Sequence, residues 1–178
     1  LWLVQELRRD FAGRGQNHDY EKLTALAESA SPFRTLIDPA HGPFAAPGQM
    51  AAKISEFAQT TAQPPPEDPG QFVRCCLESL ALTYRRTLDD LEALLHQRFE
   101  LLHIVGGGSR NRLLNQMTAD AIGRPVIAGP TEATAIGNAL TQAMGTANVR
   151  DLSHLRCIVR ASFELEAFEP RSANDFEV

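Results

Sequence analysis

Three consecutive glycines follow a short apolar run and precede a segment with helical periodicity. The apolar run Leu101–Val105 stops at Gly106–Gly108, and apolar residues then recur at steps of three and four within Arg112–Ile122. This pattern predicts a strand, a glycine turn and a helix. Glycines let backbone N–H groups approach a ligand closely, and the first turn of a helix favours anionic oxygens. The segment could therefore hold a phosphate or a nucleotide.

The spacing differs from both familiar glycine motifs. A dinucleotide fingerprint that begins at Gly106 requires a third glycine at position 111, where the chain has Asn111, and the next apolar run ends in Gly129-Pro130 without an acid for the ribose. A Walker phosphate-binding loop requires Gly-Lys-Ser/Thr where the chain reads Asn111-Arg112-Leu113. A nicotinamide-dependent oxidoreductase domain is thus disfavoured. A noncatalytic domain whose glycines only make a turn stays open.

The cysteines, histidines and paired acids form no recognisable catalytic or metal site. The cysteine count is odd, and Cys75, Cys76 and Cys157 lack metal-type spacing, as is typical of a reduced cytoplasmic protein. The five histidines form no HExxH or i, i+4 pair. The acidic pairs Glu67-Asp68 and Asp89-Asp90 fall in a proline-rich loop and on the polar side of a helix. We predict no catalytic residue and no metal ligand in this chain.

Composition and charge exclude several classes of partner. The chain has 178 residues, 43% of them hydrophobic, and a net charge of -5. Lysine occurs only at Lys22 and Lys53, and the arginines are scattered, so a basic groove for nucleic acid or an anionic membrane is not expected. No apolar run approaches the roughly 20 residues that cross a bilayer. We expect a soluble protein that binds neither nucleic acid nor membranes.

The amino-terminal half reads as helices. We expect helices over residues 1–13, 19–30 and 50–61, and a long helix after the proline-rich connection 63–70. The long helix carries an apolar stripe at steps of three and four, which we interpret as core and which comprises Phe72, Cys76, Leu80, Tyr84, Leu88, Leu91 and Leu95. The first helix starts apolar and uncapped, which leads us to expect that residues 1–14 begin inside a helix of a larger protein.

The carboxy-terminal half alternates strands and helices. After the glycine turn we expect a helix over 112–122, a strand over 126–128, a helix over 132–144 capped by Thr131, and a last helix near 152–159. The alternating residues 163–167 favour a short edge strand within a tail over 163–178, and residues 171–178 read as a frayed end. This order predicts an α/β fold with parallel strands and a ligand at their carboxyl ends, where the glycine turn lies.

Several segments together resemble the carboxy-terminal domain of the FGGY carbohydrate kinases. They span nearly the whole chain and comprise Leu1–Glu6, Phe44 with Pro47–Met50, Glu78–Tyr84, the glycine turn with Asn111, and Ala128–Asn138. The glycine turn and Asn111 are typical of the superfamily. The opening residues and the run 126–138 narrow the resemblance to members that act on L-rhamnulose.

The resemblance implies an α/β fold of the actin-like, ribonuclease H-like ATPase class, with residues 1–178 as the carboxy-terminal nucleotide-binding lobe of a two-lobed kinase. It implies phosphoryl transfer from ATP with Mg2+ to the 1-hydroxyl of L-rhamnulose. By the family's motifs, the nucleotide contacts would come from Gln5, Gly106, Gly107, Gly108 and Asn111. The family's catalytic base and most of its sugar contacts precede the equivalent of Leu1. We therefore expect a cytoplasmic kinase of which this chain alone is inactive.

Overall fold

The structure, a computed structural model, describes residues 1–171 and 176 and divides the chain into two compact units. Of the described residues, the first unit holds 1–96 and Phe176, and the second holds 97–171. The first unit is helical. The second carries the sheet and the glycine turn.

The four predicted helices of the first unit are confirmed. They are α1 (Trp2–Gly13), α2 (Tyr20–Ser29), α3 (Met50–Thr60) and α4 (Pro69–Leu95), with a 3-10 turn over Gly42–Ala45. Helices α2 and α4 are capped by the side chains of Asp19 and Asp68, which accept from the N–H groups of Lys22 and Gln71. These caps satisfy backbone donors that the first turn of a helix leaves without a partner.

Helix α4 is the spine of the first unit, but its buried face ends earlier than its sequence pattern suggests. Phe72, Cys76 and Leu88 are buried, whereas Leu91 and Leu95 are 43% and 54% exposed. The prediction that these last two leucines belong to the core is wrong. Helical periodicity shows which residues share a face, and it does not show how far along the helix the neighbouring elements extend.

The two adjacent cysteines of α4 are both buried. Burial raises the pKa of the Cys75 thiol to about 12 and raises the pKa of the Cys76 thiol as well. Because the thiolate is the reactive form, neither side chain is poised as a nucleophile near neutral pH. Their role is packing.

The second unit has a three-stranded sheet in the order β1-β2-β3. Its elements are β1 (Leu102–Ile104), α5 (Arg112–Ile122), β2 (Val126–Ala128), α6 (Ala133–Gly145), α7 (Leu152–Ser162) and β3 (Glu166–Phe168). Strands β1 and β2 are parallel, with Leu102 opposite Val126, and β3 is antiparallel to β2. The predicted parallel pair is confirmed. The edge strand begins three residues later than predicted because α7 continues to Ser162.

The core of the second unit lies between α5 and one face of this sheet. Ala119 of α5 packs with Val126, Ala128 and Phe168, and partly buried side chains of β1 and α5 surround this cluster. The helix ends at Ile122, and its C-cap residue Gly123 adopts the left-handed conformation at φ +63°. This packing fixes the position of α5, and therefore of the glycine turn that leads into it.

Two details of the carboxy-terminal half differ from expectation. Residue Thr131 does not cap α6, since the residue at the N-cap is Glu132 and its side chain makes no capping hydrogen bond. The predicted frayed end lies mostly outside the described residues, but Phe176 is buried and packs edge-on against Phe33 with ring centroids 4.8 Å apart. An aromatic ring in such a contact is stabilised by its apolar burial. This contact is not apparent from the sequence around residue 176.

Candidate functional site

The glycine turn at the carboxyl end of β1 is closed by its own hydrogen bonds. Gly106 adopts φ +77° and ψ -165°, a conformation essentially restricted to glycine. Its carbonyl accepts from both the N–H and the Oγ of Ser109, at 3.0 and 2.7 Å. Its N–H donates to the carbonyl of Pro130 at 3.1 Å. The turn is therefore a fixed loop tied to the segment that follows β2.

That second segment is built around Gly129, whose N–H donates to the carbonyl of Ile104 at 2.8 Å. Gly129 has φ +105°, and a Cβ atom there would lie 3.3 Å from the carbonyl oxygen of Glu164. Both the backbone conformation and the close approach require glycine at this position. The loops after two parallel strands thus lie side by side, which is the place where α/β sheets bind ligands.

The N–H groups of Gly107 and Gly108 are available to a ligand. Within the described part of the chain, neither donates a hydrogen bond to a protein acceptor. Gly107 is exposed, its φ lies outside the left-handed region, and a Cβ atom added to it would meet nothing within 4 Å. Two adjacent free donors beside open space can bind the oxygens of an anionic or strongly polar ligand.

Asn111 is the N-cap of α5. Its Oδ1 accepts from the N–H of Leu114 at 2.9 Å, and the side chain is only partly buried. The hydrogen bonds of the described residues include none from its Nδ2. The oxygen of this amide therefore serves the helix, while its nitrogen can donate to a ligand beside the glycine turn.

Asn115 is a further residue of the site that the sequence pattern does not reveal. It is fully buried one turn into α5, and its Nδ2 donates to the carbonyl of Ser109 at 2.8 Å. We expected apolar residues on the buried face of this helix, but Asn115 and Thr118 lie there as well. Their own polarity was the only available signal, because a polar residue among the buried positions of an amphipathic helix is unusual.

A cavity of about 540 Å³ adjoins the turn and has a mixed polar lining. It is lined by Ser109 and Thr131, and by the charged side chains of Arg112, Glu164 and Glu166. Arg112 forms an ion pair with Glu166, and its guanidinium carbon lies 5.7 Å from the centroid of the Phe168 ring. Such carboxylates accept hydrogen bonds from ligand hydroxyl groups, and the side-chain hydroxyls can both donate to them and accept from them.

The structure brings four of the five candidate residues together in the second unit, namely Gly106, Gly107, Gly108 and Asn111. The fifth, Gln5, is an exposed residue of α1 in the first unit. In the ranges 1–171 and 176, no three His, Cys, Asp or Glu side chains are grouped so that they could hold a metal ion. None of the described helices is both long and apolar enough to cross a membrane.

Residues 1–146 match the family model described as the FGGY family of carbohydrate kinases, C-terminal domain. The chain belongs to this family. The matched range includes both Gln5 and the complete glycine turn with its following helix.

Curated relatives of this FGGY chain are rhamnulokinases. The rhamnulokinase of Bacteroides thetaiotaomicron is 46% identical over 171 residues, which cover 96% of this chain and 34% of that protein. Those of Enterococcus faecalis and Bacillus subtilis are 39% and 34% identical, over 95% and 96% of this chain and 34% and 35% of their own lengths. The chain thus spans about a third of the length of the curated relatives it matches.

A solved FGGY structure supports the fold. The xylulose kinase from Rhodospirillum rubrum matches with a TM-score of 0.59 and 25% sequence identity, over 97% of this chain and 33% of that chain. The expected α/β fold of the actin-like ATPase class is confirmed by this match together with the family model.

Proposed function

We propose that residues 1–178 form the carboxy-terminal, nucleotide-binding lobe of a kinase that converts L-rhamnulose and ATP to L-rhamnulose 1-phosphate and ADP. The observation that carries the proposal is the pair of free N–H groups at Gly107 and Gly108, located at the carboxyl end of a parallel strand in an FGGY domain. The rhamnulokinase relatives, aligned over nearly the whole chain, support L-rhamnulose as the sugar.

In this proposal the chain binds and orients the nucleotide. The N–H groups of Gly107 and Gly108 donate to it, Asn111 donates from Nδ2 at its adenosine end, and Gln5 makes a further contact. Mg2+ bound to ATP would supply positive charge at the phosphates. Phosphoryl transfer depends mainly on positioning and charge stabilisation, so a lobe that holds the nucleotide rigidly contributes directly to the rate.

The proposal also assigns the sugar contacts and the catalytic base to the part of the relatives' length that this chain does not span. The isolated chain is therefore expected to bind ADP weakly, with a dissociation constant on the order of 1 mM, and to lack kinase activity. A cytoplasmic location is part of the proposal, supported by the three free cysteines, two of which are buried.

A chimeric enzyme tests this function. The 171 residues of the Bacteroides thetaiotaomicron rhamnulokinase that match this chain would be replaced by it. ADP release would then be measured with MgATP and L-rhamnulose. We expect sugar-dependent turnover by the chimera and none by the 178-residue chain alone. Turnover by the isolated chain would contradict the assignment of the base to another part of the protein.

The Gly107→Val variant tests the glycine turn itself, because the structure leaves room for the side chain and the backbone there does not require glycine. In the chimera it should raise the Michaelis constant for ATP strongly and change that for L-rhamnulose little. If the chimera does not fold, the same variant is tested in the isolated chain by ADP titration followed by amide NMR shifts. An unchanged ATP constant, or shifts that avoid Gly107 and Asn111, would leave the glycines as a simple turn.

Titration with other ligands separates the two alternatives. A nicotinamide-dependent oxidoreductase domain should bind NAD in preference to ADP, and a noncatalytic domain should bind neither. The free donors at Gly107 and Gly108 favour a ligand over a simple turn, and the absence of a third glycine at Asn111 disfavours NAD.

A further inference from the structure

The conformation of the glycine turn depends on one buried side chain of the following helix. The Nδ2 of Asn115 donates to the carbonyl of Ser109 at 2.8 Å, and Ser109 in turn donates twice to the carbonyl of Gly106. These bonds form a short chain from the interior of α5 to the glycine that starts the turn. Gly107 and Gly108, the residues with the free N–H groups, lie between its two ends.

One polar atom of Asn115 has no partner among residues 1–171 and 176. Its Oδ1 is buried and accepts no hydrogen bond from them, and the residue is 0% exposed. The orientation of the amide is determined by Ser109, because only the nitrogen can donate to a carbonyl. A buried carbonyl oxygen without a partner destabilises a fold, and an apolar side chain of the same branching would avoid that loss.

We propose that Asn115 is a positioning residue, which holds the Gly106–Ser109 turn in its nucleotide-binding conformation at a cost in fold stability. The inference rests on the proposed nucleotide site and adds to it a residue that does not touch the ligand. An apolar residue at this position would serve the fold without leaving a buried oxygen unpaired. The Ser109 carbonyl, by contrast, belongs to a partly exposed residue, so water can replace Asn115 there when the side chain is removed.

Helix α5 offers a matched control in Thr118. It is also fully buried, but its hydroxyl donates to the carbonyl of Leu114 within the same helix and makes no bond to the turn. Asn115→Leu and Thr118→Val each remove one buried polar group and keep a branched side chain. They differ in whether the glycine turn loses its support.

The test compares these two variants in the 178-residue chain and in the chimera described above. Asn115→Leu should raise the dissociation constant for ADP about tenfold, the effect of one well-placed hydrogen bond, while its melting temperature stays equal or rises. In the chimera, the Michaelis constant for ATP should rise and that for L-rhamnulose should not. Thr118→Val should leave both constants unchanged. If Asn115→Leu gives a poorly dispersed NMR spectrum, Asn115→Ala is measured in the same way.

The outcomes separate this inference from the function on which it rests. If Gly107→Val abolishes ADP binding while Asn115→Leu binds as well as the unaltered chain, the positioning role is wrong and the nucleotide site stands. A loss of ADP affinity in Thr118→Val as large as that in Asn115→Leu would also overturn the role. If neither the chain nor the chimera responds to nucleotide at Gly107, the proposed function itself fails.

Discussion

The carboxylate of Glu6 accepts a hydrogen bond from the backbone N–H of Gly48 at 2.9 Å, although 42 residues separate them. Trp2 and Asp10 lie one turn to either side of Glu6 on α1 and hold the same loop. The indole of Trp2 donates to the carbonyl of Phe44, and Asp10 accepts from the N–H groups at the start of α3. One face of α1, with its i, i+4, i+8 spacing, therefore fixes the loop that leads into α3.

The Glu6 contact predicts a pH-dependent stability. The hydrogen bond from Gly48 and the neighbouring Arg9 hold the pKa of Glu6 below its ordinary value of 4.5. A lowered pKa means that the ionised form stabilises the fold above pH 4.5, and that this stabilisation is lost as the pH falls through the lowered pKa. Glu6→Gln should thus melt at a lower temperature than the unaltered chain at pH 7, and the difference should shrink toward pH 3. Thermal unfolding across this range measures it.

Glu56→Gln provides the control, because Glu56 is an exposed residue of α3. Its melting temperature should differ little from that of the unaltered chain at every pH. A Glu6→Gln difference that grows as the pH falls would show that the buried carboxylate destabilises the fold.

The first two glycines of the turn should respond differently to alanine. Gly106 adopts φ +77° and ψ -165°, so Gly106→Ala should lower the free energy of unfolding by about 1–3 kcal/mol. Gly107 has neither a left-handed backbone nor a nearby atom, so Gly107→Ala should change it little. Chemical denaturation of both variants checks the difference. Equal losses would mean that the turn has another backbone conformation in solution.

Two substitutions should separate the capping role of Asn111 from its proposed contact with the nucleotide. Asn111→Ala removes the cap of α5 and should lower the free energy of unfolding by about 1 kcal/mol, whereas Asn111→Asp keeps the capping oxygen. Both variants lose the Nδ2 donor, so both should weaken ADP binding in the proposed site. Denaturation and ADP titration of each variant are the measurements. Full ADP affinity in Asn111→Asp would exclude the side-chain contact with the nucleotide.

Gly70, the only glycine within α4, should not tolerate a side chain. A Cβ atom there would lie 2.6 Å from the carbonyl oxygen of Leu26 in α2, and that oxygen is backbone. Gly70→Ala should therefore lower the free energy of unfolding by about 1–3 kcal/mol, as overpacking does. Gly137→Ala, in α6 with nothing within 4 Å, should raise it by up to about 1 kcal/mol through helix propensity. A neutral Gly70→Ala variant would mean that α2 and α4 can move apart at little cost.

Local sequence patterns predict much of this fold correctly. Helical spacing and capping residues indicate every described α-helix, and the alternation after Leu101 indicates the parallel pair of β1 and β2. These features depend on residues within a few positions of each other, so periodicity and capping chemistry suffice. The glycine turn is predicted for the same reason, since it directly joins a strand to a helix, whereas the role of Asn111 is implied by the family resemblance.

Contacts between distant positions could not be predicted in this way. Asn115 reads as one polar residue of an amphipathic helix, and only the packing of α5 on the sheet makes it a buried support for the turn. Leu91 and Leu95 continue a regular apolar stripe, and only the ends of the neighbouring elements leave them exposed.

The sequence by itself therefore determined the order of elements, the family and the location of the glycine turn. The tertiary structure decided which polar groups are buried, because burial and the partners of a hydrogen bond depend on chain segments that are brought together only by folding. Glu6 and Gly48 form such a pair across 42 residues. The close approach of the Glu164 carbonyl to Gly129 also joins distant segments. No local periodicity reports a contact of that kind.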